Sequence, residues 1–410
     1  MEKKRWLYAL NGLAGYLFLG LLYAWSVFVR PLELEFGWLR SHTSLTFSIC
    51  MAMFCVGGLA AGWLLKRRTP RQVIMISAGC IMAGFLLTSR MRYLYELYVF
   101  YGALCGFGVG VGYNVLLGVI LQWFPNRQGL ISGVLLMGFG FGGSLLGSVA
   151  VFMMDFMGWR NTFVGLGTIL ALLLVFISLN VKRPSQGQLL SIPRDLGGGR
   201  DFQPREMLRD SSFYAYYARG VFVGAVGLSL LGNAAPFAHS ITQDVVVATT
   251  VAGLISIFNG IGRIVGGFVF DKIGSRKTLL FAIIGTLLAV GVLVYAAVSG
   301  SITSLTAGYV AGGFFYGTSL PCTSGFISKL YGQKNFAVNF SIMNTYVLTA
   351  SFAGPYISGV LFTWTGSYIV SYTTLFAMCC AGVVATLLIK RHYIPSNIVP
   401  ENDAATFPPP

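Results

Sequence analysis

Gly267-Phe-Val-Phe-Asp271-Lys272-Ile-Gly274-Ser-Arg276-Lys277 is a short polar knot between two long apolar runs, Val246 to Phe270 and Thr278 to Val298. Runs of that length cross a hydrocarbon core about 30 Å thick as helices, so the knot reads as a tight loop at a membrane surface. Gly274 suits a sharp turn, and Asp271 suits a helix N-terminus or a basic neighbour. A degenerate partner, Gly62-Trp-Leu-Leu-Lys66-Arg-Arg-Thr69-Pro-Arg71, occupies the same place earlier in the chain, after the second apolar run. An internal repeat of this kind predicts two related halves, the arrangement carriers use for alternating access to a site near the midplane.

Working outward, twelve apolar runs can be marked off between clusters of charge or of Gly and Pro, from Trp6 to Val29 at one end to Ser367 to Ile389 at the other. The predicted fold is an all-α membrane protein, with twelve transmembrane helices in two pseudo-symmetric six-helix bundles. Residues 1–181 form the first bundle, 182–212 a cytoplasmic linker, 213–392 the second bundle and 393–410 a disordered, Pro-rich tail. The basic start at Met1 to Arg5 runs into an apolar stretch too long for a cleaved leader, so it is read as a first helix that is kept.

Composition agrees. Of 410 residues 55% are hydrophobic and only 10% charged, and the mean hydropathy is +0.73. A soluble domain carries roughly a quarter charged residues. The net charge of +15 does not point to nucleic acid, because the basic residues are spread among loops on one side. Roughly 21 of the 28 Lys and Arg fall at the N-terminus, in alternate loops, in the linker and before the tail, which makes those segments cytoplasmic. An inner-membrane, multi-pass protein with both termini cytoplasmic follows. The seven cysteines lie within apolar runs and the three histidines form no cluster, so neither a disulfide framework nor a metal site is expected, and no cofactor.

The most informative residue is Arg263, within the eighth run. A cation inside a membrane helix costs about 2.5 to 3.5 kcal/mol on insertion scales, so intramembrane charges mark functional sites. All thirteen acidic residues fall in loops, tails or helix ends. A deep cation without a protein counter-ion is suited to an incoming anion, and guanidinium grips carboxylate with two parallel hydrogen bonds. Asn259, four residues earlier on the same helical face, can steady the guanidinium or bond the substrate. Amphipathic groups that could complete the pocket are Tyr23, Trp25, Tyr113, Asn114, Tyr316, Asn344 and Tyr346, since Tyr and Trp close over an apolar body while donating a hydrogen bond. Arg219 and Arg30 lie nearer helix ends, where snorkelling to the interface is the simpler reading. Arg263 is therefore expected to be the one deep cation, which favours monocarboxylates over dicarboxylates.

The Gly267 to Lys277 stretch resembles the cytoplasmic loop signature of the major facilitator superfamily, with Gly267, Asp271, Lys272, Gly274, Arg276 and Lys277 at the signature positions. The first-half partner departs from it, with Lys66 for the Asp and Thr69 for the turn Gly. Gly106-Phe-Gly108-Val-Gly110-Val-Gly112-Tyr113-Asn114 and Trp123-Phe-Pro-Asn-Arg127-Gln-Gly129-Leu, with Gly133, Gly138, Gly140 and Gly142, are similar to the oxalate/formate antiporter branch, allied to the monocarboxylate porters. Tyr23-Ala-Trp25-Ser-Val-Phe with Pro31 and Asn259-Gly-Ile-Gly-Arg263 fit the same branch. The glycines themselves are helix-packing devices in the first instance.

The resemblance implies a secondary active transporter for small organic anions, an antiporter or proton-linked symporter, and not an enzyme. Its expected partners are the substrate anion and the lipid bilayer, and it is expected to work as a monomer without nucleic acid. Two rival readings are an efflux permease for another metabolite or drug, since the scaffold does not fix the cargo, and a transport-inactive nutrient sensor signalling through the linker.

Overall fold

A computed structural model describes residues 2–38, 40–184, 201–242 and 244–389. The expectations for the greater part of the linker and for the tail fall on residues 185–200 and 390–410, which lie outside the described residues.

Among the described residues, ten helical spans are long and apolar enough to cross a membrane. Two features reconcile them with the twelve runs. The span Pro125–Asn180 is 56 residues, about 84 Å as one straight helix, and it turns back at Gly158, whose φ of 72° and ψ of 165° no helix contains. Met153 on one side of that turn reaches Gly165 on the other. It therefore supplies the fifth and sixth crossings. The tenth crossing is broken, Ile302–Ser319 followed by Cys322–Tyr331, because Pro321 at the junction has no N–H to give a continuous helix. Each piece alone is short, and together they complete the set.

The remaining crossings follow their sequence signals. The first is Glu2–Leu19, a 3₁₀ turn Gly20–Ala24 and Trp25–Phe36 with Pro31 inside it. The second is Arg40–Leu64 and the third Pro70–Ser89, entered through a capping box in which Thr69 and Gln72 bond each other's backbone N–H. The fourth passes through a π-helical stretch, Tyr98–Cys105, into Gly106–Leu121. The seventh is Ser211–Ile241, capped by Asp210, the eighth Val245–Ile273 and the ninth Ser275–Ser299. Gly274, with φ 81°, makes the turn between the last two in the left-handed region open to glycine. The eleventh is Phe336–Asn344 continued by Tyr346–Thr365, and the twelfth Tyr368–Leu388.

Past the undescribed part of the linker, the chain is not a bare connector. The Phe202 N–H donates to the Tyr331 carbonyl at 3.0 Å, and the Asn335 and Asn339 amides donate to the Phe202 carbonyl. This pins the segment before the short helix Pro204–Met207 to the far end of the tenth crossing.

The two halves meet where glycines let backbones touch. Gly129 of the fifth crossing lies on Gly267 of the eighth, and Gly133 lies on the Arg263 carbonyl. Gly62 of the second crossing faces Val338 of the eleventh. A Cβ at Gly129 would stand 2.4 Å from the Gly267 carbonyl oxygen, too near for any side chain. These contacts lie in the parts of the crossings nearer the basic loops. Of the cysteines, Cys380 is exposed and Cys80 half-buried, while the other five are buried.

Candidate functional site

Arg263 leaves the eighth crossing about four residues past its middle, roughly 6 Å toward the Asp271 end. Gly262 and Gly266 on either side of it press on the backbone at Phe314 and Thr318 of the tenth crossing. The helix is thereby fixed in rotation, and the half-buried arginine is aimed at the other bundle. Its Nε donates to Asn259 Oδ1 at 3.1 Å, and its Nη1 donates to the Leu136 carbonyl of the fifth crossing. Gly140, one turn further along, makes room for the guanidinium. Among the described residues no carboxylate pairs with it. Two of its five N–H donors are engaged by these neutral acceptors.

Tyr23, Tyr316 and Tyr113 lie near the Arg263 head, and Tyr346 lies near Tyr23, Tyr113 and Tyr316. These four of the expected pocket residues therefore converge from both halves. Tyr113 is held by rings of the first bundle, with Tyr16 at 4.8 Å, Phe54 at 5.1 Å and Phe139 at 5.2 Å between centroids. Tyr23 meets Phe139 edge-on at 5.1 Å and is 39% exposed, the open member of the group. Tyr316 lies over Gly227 and Tyr346 over Gly220, so the seventh crossing carries glycines where rings must lie flat on it.

Three expected residues sit elsewhere. Trp25 is in the core of the first bundle, its indole N–H donating to the Thr43 carbonyl at 3.0 Å and its ring against Tyr101 at 4.6 Å. Asn114 ties the halves together: its amide donates to the carbonyls of Gly58, at 3.2 Å, and Ala337, at 3.1 Å, and to the Ser341 hydroxyl. Its Oδ1 is buried without a partner. Asn344 lines a small cavity with Asn114, Tyr113 and Cys55 beside that tie.

In the loop, Asp271 accepts from two backbone N–H groups at the start of the fifth crossing, Gly129 at 2.9 Å and Leu130 at 2.8 Å. A carboxylate on a helix N-terminus is stabilised by the unpaired amides and the helix dipole. Lys272 lies over the Phe268 ring, Arg276 is half-buried and Lys277 exposed. The corresponding Lys66 in the first half is exposed and Arg67 stacks on Trp63. The carboxylate contact thus exists at one of the two loops.

One expectation is overturned. Arg219 does not snorkel: it is 2% exposed. Its Nη2 donates to the Ser319 hydroxyl at 3.2 Å, its guanidinium carbon lies 5.6 Å from the Tyr216 ring centre, and its Nε is buried without a partner. Arg263 is therefore not the only deep cation. The sequence concealed this because the seventh crossing begins near Arg219, whereas its burial comes from the break at Pro321, which brings Ser319, Cys322 and Thr323 alongside. Arg219 lies near Tyr346, Tyr216 and Cys322. Leu136 and Gly140, the seat of the Arg263 head, also escaped notice, since a carbonyl acceptor leaves no mark in a sequence.

Two six-helix bundles facing each other across a half-buried cation and a ring of tyrosines define a membrane carrier. The Major Facilitator Superfamily model matches residues 7–345 and 220–409, and the chain belongs to that family. The oxalate:formate antiporter of Oxalobacter formigenes is 26% identical over 384 residues, covering 91% of this chain and 88% of that one. Monocarboxylate transporter 13 of Bos taurus is 25% identical over 382 residues, covering 90% and 85%. Among solved structures, the proton:xylose symporter XylE bound to 6-bromo-6-deoxy-D-glucose superposes with a TM-score of 0.75 at 16% identity, covering 95% of each chain. The last likeness speaks to the fold alone.

Proposed function

We propose that the protein is a secondary transporter of small organic anions, monocarboxylates foremost, working by alternating access between the bundles 1–181 and 213–392 across the linker 182–212. In this reading it sits in the inner membrane with both termini cytoplasmic, as the basic loops require. The observation that carries the proposal is the Arg263 guanidinium, which meets Asn259 and a backbone carbonyl and no carboxylate among the described residues. Names of relatives at about a quarter identity, an oxalate:formate antiporter and a monocarboxylate transporter, support the same substrate class.

The pocket chemistry favours one carboxylate over two. The groups near Arg263 are tyrosines, which donate single hydrogen bonds and pack against a small apolar body, while Arg219 is bonded to Ser319. A bound carboxylate neutralises Arg263, so the loaded site crosses the occluded state without an uncompensated charge in low dielectric. The empty site keeps that charge and reorients slowly. Exchange of one anion for another is then faster than net movement.

The test is a thermal-shift screen of the purified full chain with formate, acetate and oxalate, repeated in Arg263→Gln. Monocarboxylates should raise the melting temperature of the parent and not of the variant. Equal protection in both ends the assignment of Arg263. Net proton-coupled uptake by proteoliposomes as fast as counterflow ends the exchange bias.

A further inference from the structure

We propose that Arg219 is a second carboxylate-binding station, which receives the transported anion from Arg263 as the end of the molecule held by Asp271 opens. The proposal rests on the reading of Arg263 as the first anion site and extends it by a step along the path.

The position comes first. Arg219 lies about eight residues, or roughly 12 Å, inside the start of the seventh crossing at Ser211, and Arg263 about ten residues, roughly 15 Å, inside the end of the eighth at Ile273. Both ends belong to the basic-loop side. The partner of Arg219 is Ser319, one residue beyond Thr318, whose backbone meets Gly266 of the eighth crossing, about one turn past Arg263. The Arg219 head is thus placed one step nearer the Asp271 end.

Hydroxyl groups bridge the interval. Tyr346 lies near the tyrosines that surround Arg263, and its own hydroxyl meets Thr323 Oγ1 at 3.3 Å. Thr323 Oγ1 in turn accepts from the Tyr216 hydroxyl at 3.1 Å, and the Tyr216 ring carries the Arg219 guanidinium. A carboxylate leaving Arg263 would find donors all the way to the second cation.

The energetics call for a ligand. A guanidinium has five N–H donors, and this one makes a single described hydrogen bond, with a buried Nε that has none. The Tyr216 ring offsets only part of the cost of taking an ion out of water. Among the described residues no carboxylate pairs with Arg219, and both oxygens of Asp271 are taken by Gly129 and Leu130. Structural use alone would be served better by an apolar side chain. An anion that arrives transiently accounts for the charge and for the unpaired Nε together.

The experiment uses full-length protein, thermal shift with formate, acetate and oxalate, and counterflow in proteoliposomes with whichever of these protects the parent best. Three variants are compared: Arg219→Gln, Arg219→Lys and Arg219→Met. Arg219→Gln should bind the anion with nearly the parent's affinity, because equilibrium binding is set at Arg263, while its counterflow rate falls at least roughly tenfold. Arg219→Lys should recover a substantial part of the rate. Arg219→Met should melt at or above the parent temperature while remaining slow, a pairing of gained stability and lost transport that a structural arginine cannot produce. Counterflow at the parent rate in well-folded Arg219→Gln overturns this station and leaves Arg263 standing. Protection of the parent by none of the three anions, or protection that survives Arg263→Gln, overturns the reading beneath both.

Discussion

The Arg263 head is seated against Gly140: a Cβ built there would stand 2.7 Å from Nη1 and 3.1 Å from the guanidinium carbon. Since Nη1 is tied to the Leu136 carbonyl and Nε to Asn259, the guanidinium cannot slide away without losing a bond. Gly140→Ala should therefore turn the donors from their bound orientation. Carboxylate affinity measured by calorimetry should drop roughly tenfold, about 1.4 kcal/mol, with the melting temperature of the free protein little changed. Unchanged affinity would mean that the head has another resting place and that the observed seat is incidental.

Asn259 is the side chain hydrogen-bonded to that charge, and it is neutral. Asn259→Asp keeps the shape and supplies a resident counter-ion 3.1 Å from Nε, with which the substrate must compete. Affinity for a monocarboxylate should fall at neutral pH and recover as the pH is lowered, because protonating the new carboxyl releases the guanidinium. The parent, lacking that group, should show a flatter profile over the same range. A variant that binds as the parent does at pH 7 would show that the anion is held by something other than Arg263.

Much of this was legible in the chain and some was not. Length and periodicity sufficed for the twelve runs because a bilayer imposes a minimum length on every crossing. The turn at Gly158 falls between the fifth and sixth runs, beside Asp155 and Arg160, where the sequence already parts them, but the tenth-crossing break at Pro321 could not be placed, since it depends on backbone geometry within an apolar run. Arg263 stood out because a cation in a membrane helix is costly wherever it points. Trp25, chosen for matching a family pattern, is a core residue bonded to Thr43, while Arg219 was assigned to the interface on its position alone. Burial of a long side chain is decided by what packs over it, and here that is a neighbouring crossing a hundred residues distant.

A staple of another kind joins the far end of the first crossing to the hinge between the fifth and sixth. Glu35 accepts from the Trp159 indole at 2.5 Å and from Arg160 at 2.6 Å. Burial pulls the Glu35 carboxyl up, but the bonds from Trp159 and Arg160 outweigh it and hold it below the ordinary value of 4.5. A carboxyl depressed by folding stabilises the native state above that ordinary value, and the contribution is lost as pH falls through the lower, folded one. Because the pair is more than a third exposed, it should contribute about 1 kcal/mol at most. Melts of the parent and Glu35→Gln should differ slightly at pH 7 and converge as the pH falls well below that ordinary value. A gap that persists in acid would assign the effect to packing.

Asp271 holds the start of the fifth crossing with one oxygen on Gly129 and the other on Leu130. Asp271→Asn retains one acceptor, turns an N–H₂ toward a backbone N–H and removes the charge that the helix dipole favours, a loss of about 1 to 2 kcal/mol. At this end Gly129 lies on Gly267 and Gly62 on Val338, with Asn114 tying the second pair of crossings, and if the bundles move as rigid bodies, weakening the Asp271 contact should let them part across the whole face. Hydrogen exchange read by mass spectrometry should then quicken in peptides covering 128–136 and 262–271, and equally in those covering 58–62 and 337–341 on the second and eleventh crossings. Gly267→Val, which wedges the same contact sterically, should give the same pattern. If only the amides at 128–131 lose protection, Asp271 is a local helix cap and the two pairs of crossings do not open as one gate.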